Sequence, residues 1–211
     1  MSKKIVLFDL DGTLVNTLPA IANSFNSILG KYGYNTYETK KYLDFVGGGV
    51  LKILERISKL QEIKIDKNQF IAEVREHYDN NYLHGIKIYE NMDKLLDKLT
   101  ENNVDIAIVT NKDHPMALEH AKTILSKWNF KYVYGASVNK EYPTKPNPYL
   151  VDLIAKDYQK EEMLFVGDMI VDYNTAKNAN IDIVYCTWGY GKEQDLDSFI
   201  ANDPLDILKY L

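Results

Sequence analysis

Two kinds of apolar pattern alternate along this chain. Ile5-Val6-Leu7-Phe8 is a continuous apolar run, ended abruptly by Asp9, Asp11 and Gly12. A short unbroken run of this kind reads as a strand buried on both faces, as in a parallel sheet. Segments 105–109, 163–166 and 181–186 repeat it, with a weaker version at 132–134. Between them the apolar positions take helical spacing: about 91–101 (Met92, Leu95, Leu96, Leu99), 115–127, 148–157 and 171–179. Strands alternating with helices predict an α/β fold, a Rossmann-like parallel sheet core covered on both faces. Right-handed crossovers then bring the C-terminal strand ends to one edge, where ligands bind.

From about 17 to 86 the alternation stops. This stretch holds no buried-strand pattern and reads as helices at about 18–31, 38–44, 50–60 and 67–82, with Gly47-Gly48-Gly49 between the second and third. An all-helical insert after the first strand predicts a separate cap. The expected organisation is a discontinuous core, 1–15 and 88–211, with an inserted α-helical cap domain at 16–87.

Composition narrows the partners. The 211 residues suffice for one medium domain or a core with an insertion. One cysteine, Cys186, excludes an intramolecular disulfide framework. The formal charge is −5 with no Lys/Arg run, so nucleic acid is not an expected partner. The apolar run near the N-terminus is too short for a signal peptide, and no stretch reaches bilayer length, so no membrane association and a cytoplasmic location are expected. The 16 tyrosines read as core-edge packing. His77, His84, His114 and His120 show no metal spacing and read as surface or packing residues. Oligomeric state is not readable.

The chemistry-bearing positions sit at the predicted strand ends. Asp9 and Asp11 follow a buried strand, where carboxylates are costly unless paired, hydrogen-bonded or metal-bound. Residues two apart on extended backbone point the same way, so both carboxylates can serve one site. By itself the segment reads equally well as a strand end with an Asp-Gly turn. Thr110 reads by itself as a strand-end hydroxyl, Lys145 as a solvated loop lysine, and Asp168 with Asp172 as helix N-terminal acids.

Together these positions form a pattern. Asp9-Leu10-Asp11-Gly12-Thr13-Leu14-Val15 resembles the first motif of the haloacid dehalogenase superfamily. Ile108-Val109-Thr110-Asn111-Lys112 resembles the second, Lys145-Pro146-Asn147-Pro148 the third, and Val166-Gly167-Asp168-Met169-Ile170-Val171-Asp172 the fourth. The four occur in the family's order and span nearly the whole chain. The resemblance implies a magnesium-dependent phosphatase of the phosphoglycolate-phosphatase-like subgroup, acting on a small phosphate ester. It implies that Asp9 is the nucleophile and forms an aspartyl-phosphate, and that Asp11 is the general acid and then base. Thr110 and Asn111 would bind the phosphoryl group, and Lys145 would offset its charge. Asp9, the carbonyl oxygen of Asp11, Asp168 and Asp172 would hold Mg²⁺, the last directly or through water. Gly48, in the cap glycine loop, would touch substrate or else be a simple turn. Trp188-Gly189-Tyr190-Gly191 resembles a loop of the same subgroup, with packing an equal reading.

Asn16 and Glu90-Asn91 depart from the commonest family form without touching catalysis, and Met169-Ile170-Val171 makes the fourth loop more apolar than usual. Asp11 argues against dehalogenase and phosphonate hydrolase chemistry, which do without a second acid. A phosphosugar mutase of the beta-phosphoglucomutase type would keep the same residues, as would a nucleotidase or pyrophosphatase. A non-catalytic ligand-binding module is disfavoured because every acidic motif position is intact.

Overall fold

The computed structural model describes residues 2–136, 143–192 and 196–211. Its packing divides the chain into two compact units. One is formed by the segments up to Val15 and from Ile88 onward, the other by Asn16–Lys87. The chain passes between them at β2 (Val15–Asn16) and β3 (Lys87–Ile88), which pair as a two-stranded sheet.

The first unit is built on β1 (Ile5–Phe8), β4 (Asp105–Asp113), β5 (Tyr132–Ala136), β6 (Met163–Gly167), β7 (Asp182–Cys186) and β8 (Phe199–Ala201). They form one six-stranded sheet in the order β5-β4-β1-β6-β7-β8. Every recorded pairing is parallel. The chain winds outward from β1 first to one side and then to the other, so the topological switch lies at β1, between β4 and β6. Phe8 is level with both Ile108 and Val166. The chains that leave β1, β4 and β6 therefore emerge together at one point of the sheet edge.

This sheet exists because its central strands are apolar on both faces. Ile5 to Phe8, Ile106 to Val109 and Met163 to Val166 are all buried. One face, with Ile5, Leu7, Val109, Met163 and Phe165, packs against Leu150, Val151 and Ile154 of α6 (Tyr149–Ile154) and Ala176 and Ala179 of α7 (Ile170–Ala179). α4 (Met92–Glu101) buries Met92, Leu95, Leu96 and Leu99, and α5 (His114–Lys122) buries Ala117 and His120. At roughly 1.5–3 kcal/mol per buried large aliphatic or aromatic side chain, this core fixes the strand register on which the site depends.

The second unit holds α1 (Leu18–Lys31), a 3₁₀ turn (Thr39–Asp44), α2 (Gly49–Ile57) and α3 (Lys67–Asn81). Phe25 centres its core, with its ring 6.1 Å from Tyr42 and 6.3 Å from Phe70. Asp66 accepts from the Asn68 and Gln69 N–H groups and starts α3. Arg56 Nη1 donates to the carbonyls of Phe45, Val46 and Gly47 at 2.6, 2.5 and 2.7 Å. That clasp holds the glycine loop before α2.

The structure departs from the sequence reading at element ends. α5 stops at Lys122, where Thr123 turns out of helical backbone, and α6 spans Tyr149–Ile154 only. The segment 38–44 is a 3₁₀ turn, and β4 runs on through Asp113. Strand β8 and the 3₁₀ helix Pro204–Tyr210 were not foreseen. No described helix is long and apolar enough to cross a membrane.

Candidate active site

Three carboxylates converge where β1 and β6 end. Ligand atoms of Asp9, Asp168 and Asp172 lie within 4.8 Å of one another, and all three residues are buried. Asp9 follows β1 directly. Its N–H donates to the Val166 carbonyl at 2.9 Å, and its Oδ1 accepts from the Leu10 N–H at 2.7 Å. Asp168 lies in the turn after β6, before α7 begins, and so does not share a helix with Asp172. Asp172 reaches back: its Oδ2 accepts from the Met169 N–H at 3.0 Å, and its Oδ1 lies 2.5 Å from Lys145 Nζ. It is thus both a helix-terminal acid and a member of the cluster.

Lys145 is the cation that bridges this cluster. Its Nζ lies 2.9 Å from Asp9 Oδ1, with the side chain 1% exposed. Burial pulls the ammonium down, but Asp172 and Asp9 outweigh it and hold Lys145 above its ordinary pKa. Burial pushes the Asp9 carboxyl up to about 6, against Lys145 and with help from Asp172. Burial, then Asp172 and Asp9, push Asp168 well above the carboxylate range, opposed by the Tyr190 N–H and the Thr13 hydroxyl. These shifts have one electrostatic cause. Among the described residues, three buried carboxylates face one buried ammonium, an excess of two negative charges when all three are ionised. The donor set is all oxygen and its missing charge is that of a divalent cation, so these residues fit a hard divalent ion such as Mg²⁺.

Three glycines make room for the acids. A Cβ on Gly12 would stand 2.5 Å from Asp168 Oδ2, and the backbone there has φ +91°. A Cβ on Gly189 would stand 2.2 Å from Asp168 Cβ, and one on Gly167 would stand 2.3 Å from Asp172 Cβ. Real side chains do not approach so closely, so each glycine is required by the carboxylate beside it. Asp168 is then held from two sides. The Thr13 hydroxyl donates to Oδ1 at 2.9 Å and the Tyr190 N–H to Oδ2 at 2.7 Å. Trp188 Nε1 donates to the Thr13 carbonyl at 3.0 Å, which ties the loop after β7 to the loop after β1.

β4 supplies the second group of residues through an irregularity. Val109 pairs with Tyr134 and Asp113 with Ala136, so four steps on β4 match two on β5. Thr110, Asn111 and Lys112 stand opposite Gly135 alone, a surplus of two residues. A bulge re-aims side chains beside a site, and here it turns three in succession. Gly135 permits it, since a Cβ there would stand 2.6 Å from the Lys112 carbonyl oxygen. Thr110 is buried, and its hydroxyl accepts from the Lys112 N–H at 3.2 Å. That bond uses the oxygen and not the hydroxyl proton. The Asn111 amide clasps the Lys145 backbone, accepting from its N–H at 2.6 Å and donating to its carbonyl at 3.2 Å. The same residue that was expected to bind substrate therefore also fixes where the buried lysine emerges.

Asp11 is partly exposed, and its carboxylate pairs with Lys112, whose Nζ lies 2.9 Å from Oδ1 and 3.1 Å from Oδ2. Of the residues singled out from sequence, Asp9, Asp11, Thr110, Asn111, Lys145, Asp168 and Asp172 all belong to this sheet edge. Gly48 belongs to the helical unit, where it precedes α2 with φ +95°. The sequence reading gave no role to Lys112, Thr13, Gly167 or Gly189. The glycines flanking an aspartate or its supporting loop were the readable signal, since glycine is the residue that tolerates close approach.

The model of the family described as haloacid dehalogenase-like hydrolase matches residues 6–186. A phosphoglycolate phosphatase of Aquifex aeolicus is 27% identical, over 99% of this chain and 96% of its own length. One of Haemophilus influenzae is 30% identical, over 89% of this chain and 87% of its own. The crystal structure of a predicted phosphoglycolate phosphatase from Haemophilus somnus superposes with TM-score 0.85, at 26% identity, covering 100% of this chain and 98% of the other.

Proposed function

The chain belongs to the haloacid dehalogenase-like hydrolase family, and on that premise we propose that it is a magnesium-dependent phosphatase of small phosphomonoesters, phosphoglycolate-like or sugar phosphates, working through an aspartyl-phosphate. The observation that carries this reading is the buried trio Asp9, Asp168 and Asp172 with Lys145 bridging two of its members. Such a cluster suits phosphoryl transfer, where catalysis is mainly positioning and charge stabilisation.

In this reading Asp9 Oδ attacks phosphorus and the ester oxygen leaves with a proton from Asp11. Asp11 then takes a proton from the water that attacks the aspartyl-phosphate, releasing phosphate and restoring Asp9. Lys145 neutralises charge on Asp9 and on the transferring group, and Thr110 donates to a phosphoryl oxygen. Asp9, Asp168, Asp172 and the Asp11 carbonyl would hold the cation, which when bound supplies the charge that draws the phosphate to the nucleophile. Residues 16–87 would be the cap, and Gly48 in its glycine loop would be a substrate-binding position.

The test is phosphate release from a panel of monoesters, phosphosugars included, with and without Mg²⁺, on wild type and Asp9→Asn. Wild type should be magnesium-dependent, and Asp9→Asn should lose at least roughly a thousandfold in kcat, the scale of losing a covalent nucleophile. No magnesium-dependent release from any ester would sink the phosphatase reading. Full activity in Asp9→Asn would sink the nucleophile assignment.

A further inference from the structure

Lys112 is a charged side chain at this sheet edge that the proposed steps leave without a task. It projects from the β4 bulge two residues beyond Thr110, with both Asp11 carboxylate oxygens at 2.9 and 3.1 Å. Its side chain is only 8% exposed, against 23% for Asp11. A lysine so enclosed at a strand end is expensive to keep, because ammonium desolvation is offset only by close anionic partners. A role confined to surface solubility does not account for it.

Resting on the phosphatase reading above, we infer that Lys112 is a specificity-determining residue whose ammonium pairs with an anionic substituent on the leaving group, next to the ester oxygen. The argument is one of reach. A general acid works within about 2.6–3.2 Å of the oxygen it protonates. Lys112 Nζ lies 2.9 and 3.1 Å from those same carboxylate oxygens, which puts it within about 6 Å of the leaving oxygen. A carboxylate bonded to the ester carbon itself sets its nearer oxygen roughly 3 Å from the ester oxygen, by ordinary bond lengths. The gap between that carboxylate and Nζ then closes to a charge-assisted hydrogen bond. A neutral leaving group gains nothing there.

The surroundings favour this use. His120, buried in α5, has its imidazole held down to about 4 by burial and then by the Lys112 charge, so at neutral pH it brings no second cation. Lys145 is committed to Asp9 and Asp172. Among the described residues of this sheet edge, Lys112 is therefore the cation placed to meet a negative charge on the leaving-group side, while Lys145 serves the phosphoryl side. The class selected is the monoester of a short hydroxy acid, with phosphate and carboxylate separated by one carbon.

The experiment compares kcat/KM for 2-phosphoglycolate and for ethyl phosphate, which break the same bond, in the magnesium-loaded full chain. Wild type should prefer the anionic ester by tenfold or more. Lys112→Met should lower that ratio by roughly tenfold to a hundredfold, chiefly through KM, the effect of losing one charge-assisted contact. Lys112→Arg, which keeps the charge, should retain most of the preference. Equal losses on both esters in Lys112→Met would overturn the inference and leave Lys112 as a support for Asp11. A wild type that hydrolyses both esters equally would overturn it without any variant, so it stays testable if Lys112→Met does not fold. Hydrolysis of neutral esters without that preference leaves the phosphatase reading standing, whereas no magnesium-dependent hydrolysis of any ester overturns both.

Discussion

Replacing the nucleophile candidate should make the metal-free protein more stable, not less. Asp9 is 7% exposed, and burial pushes its carboxyl from 3.8 to about 6 despite the attraction of Lys145. Ionising it in the folded state therefore costs roughly 3 kcal/mol more than ionising it in the unfolded chain. The folded pKa is raised, so the stabilising contribution is fully present below pH 3.8 and is lost as pH rises through 6. Asparagine keeps the neutral form at every pH and still accepts from the Leu10 N–H. In EDTA, Asp9→Asn should match wild type near pH 4 and exceed it by about 1–3 kcal/mol at pH 8, several degrees in Tm for a chain of this size. Magnesium supplies the missing charge, so it should raise the wild-type Tm above pH 6 and raise the variant far less.

The measurement must be a difference curve. His120 acts in the same window with the opposite sign. Burial and the Lys112 ammonium hold its imidazole down from 6.5 to about 4, so its contribution is present above pH 6.5 and is lost as pH falls through 4. The two effects are of similar size, and a wild-type Tm profile alone would look flat. Calorimetry of both proteins from pH 4 to 8, with EDTA and with MgCl₂, separates them. An Asp9→Asn protein less stable than wild type in EDTA at pH 8, or an equal magnesium shift in both, would refute the charge argument.

Two further outcomes follow from the same geometry. Gly12→Ala and Gly33→Ala both place a side chain at positive φ, but Gly33 has open space around its Cβ while Gly12 would drive one into Asp168. Gly33→Ala should therefore cost about 1–2 kcal/mol of backbone strain and leave metal binding intact, whereas Gly12→Ala should also weaken magnesium affinity roughly tenfold to a hundredfold. Equal magnesium titrations by calorimetry for the two variants would show that Asp168 does not need that space. His120→Leu loses the bond from Nδ1 to the Met116 carbonyl, 2.8 Å long, about 1 kcal/mol at pH 8. With the opposing His120 contribution gone, its Tm should rise as pH falls from 6.5 to 4, where the wild-type profile is flat; an equally flat variant profile would mean that His120 already protonates in the folded state.

Much of this fold was legible in the chain because it depends on local pattern. A strand buried on both faces must be apolar throughout, so Ile5–Phe8 and Met163–Gly167 announce themselves, and the acids that end them stand out by contrast. β8 was not legible for the complementary reason. It is three residues long at the sheet edge, with Phe199 and Ile200 exposed, and no periodicity marks it. Helix ends failed where tertiary contact decides them, as at Thr123.

The site was legible as residue types but not as a division of labour. Sequence order places Thr110, Asn111 and Lys112 side by side as one motif. The β4 bulge sends them to three different partners: the backbone of the motif itself, the backbone of Lys145 and the carboxylate of Asp11. No spacing rule reveals this, because the surplus residues are defined only against β5 and depend on Gly135 lying opposite. The same holds for Gly167 and Gly189, whose missing Cβ atoms are the space that two aspartates occupy. Conversely, the acid spacing that looked like one helical turn, Asp168 to Asp172, arises otherwise. Asp168 stands before the helix, held by Thr13 and Tyr190, and only Asp172 belongs to α7. The trio therefore gathers two strand exits and one helix start, elements whose mutual positions the parallel sheet sets. That is why the central register, rather than any single loop, governs whether Asp9 meets its lysine. A substitution in the central strands that shifts this register would separate Asp9 from Asp168 while leaving every motif residue in place.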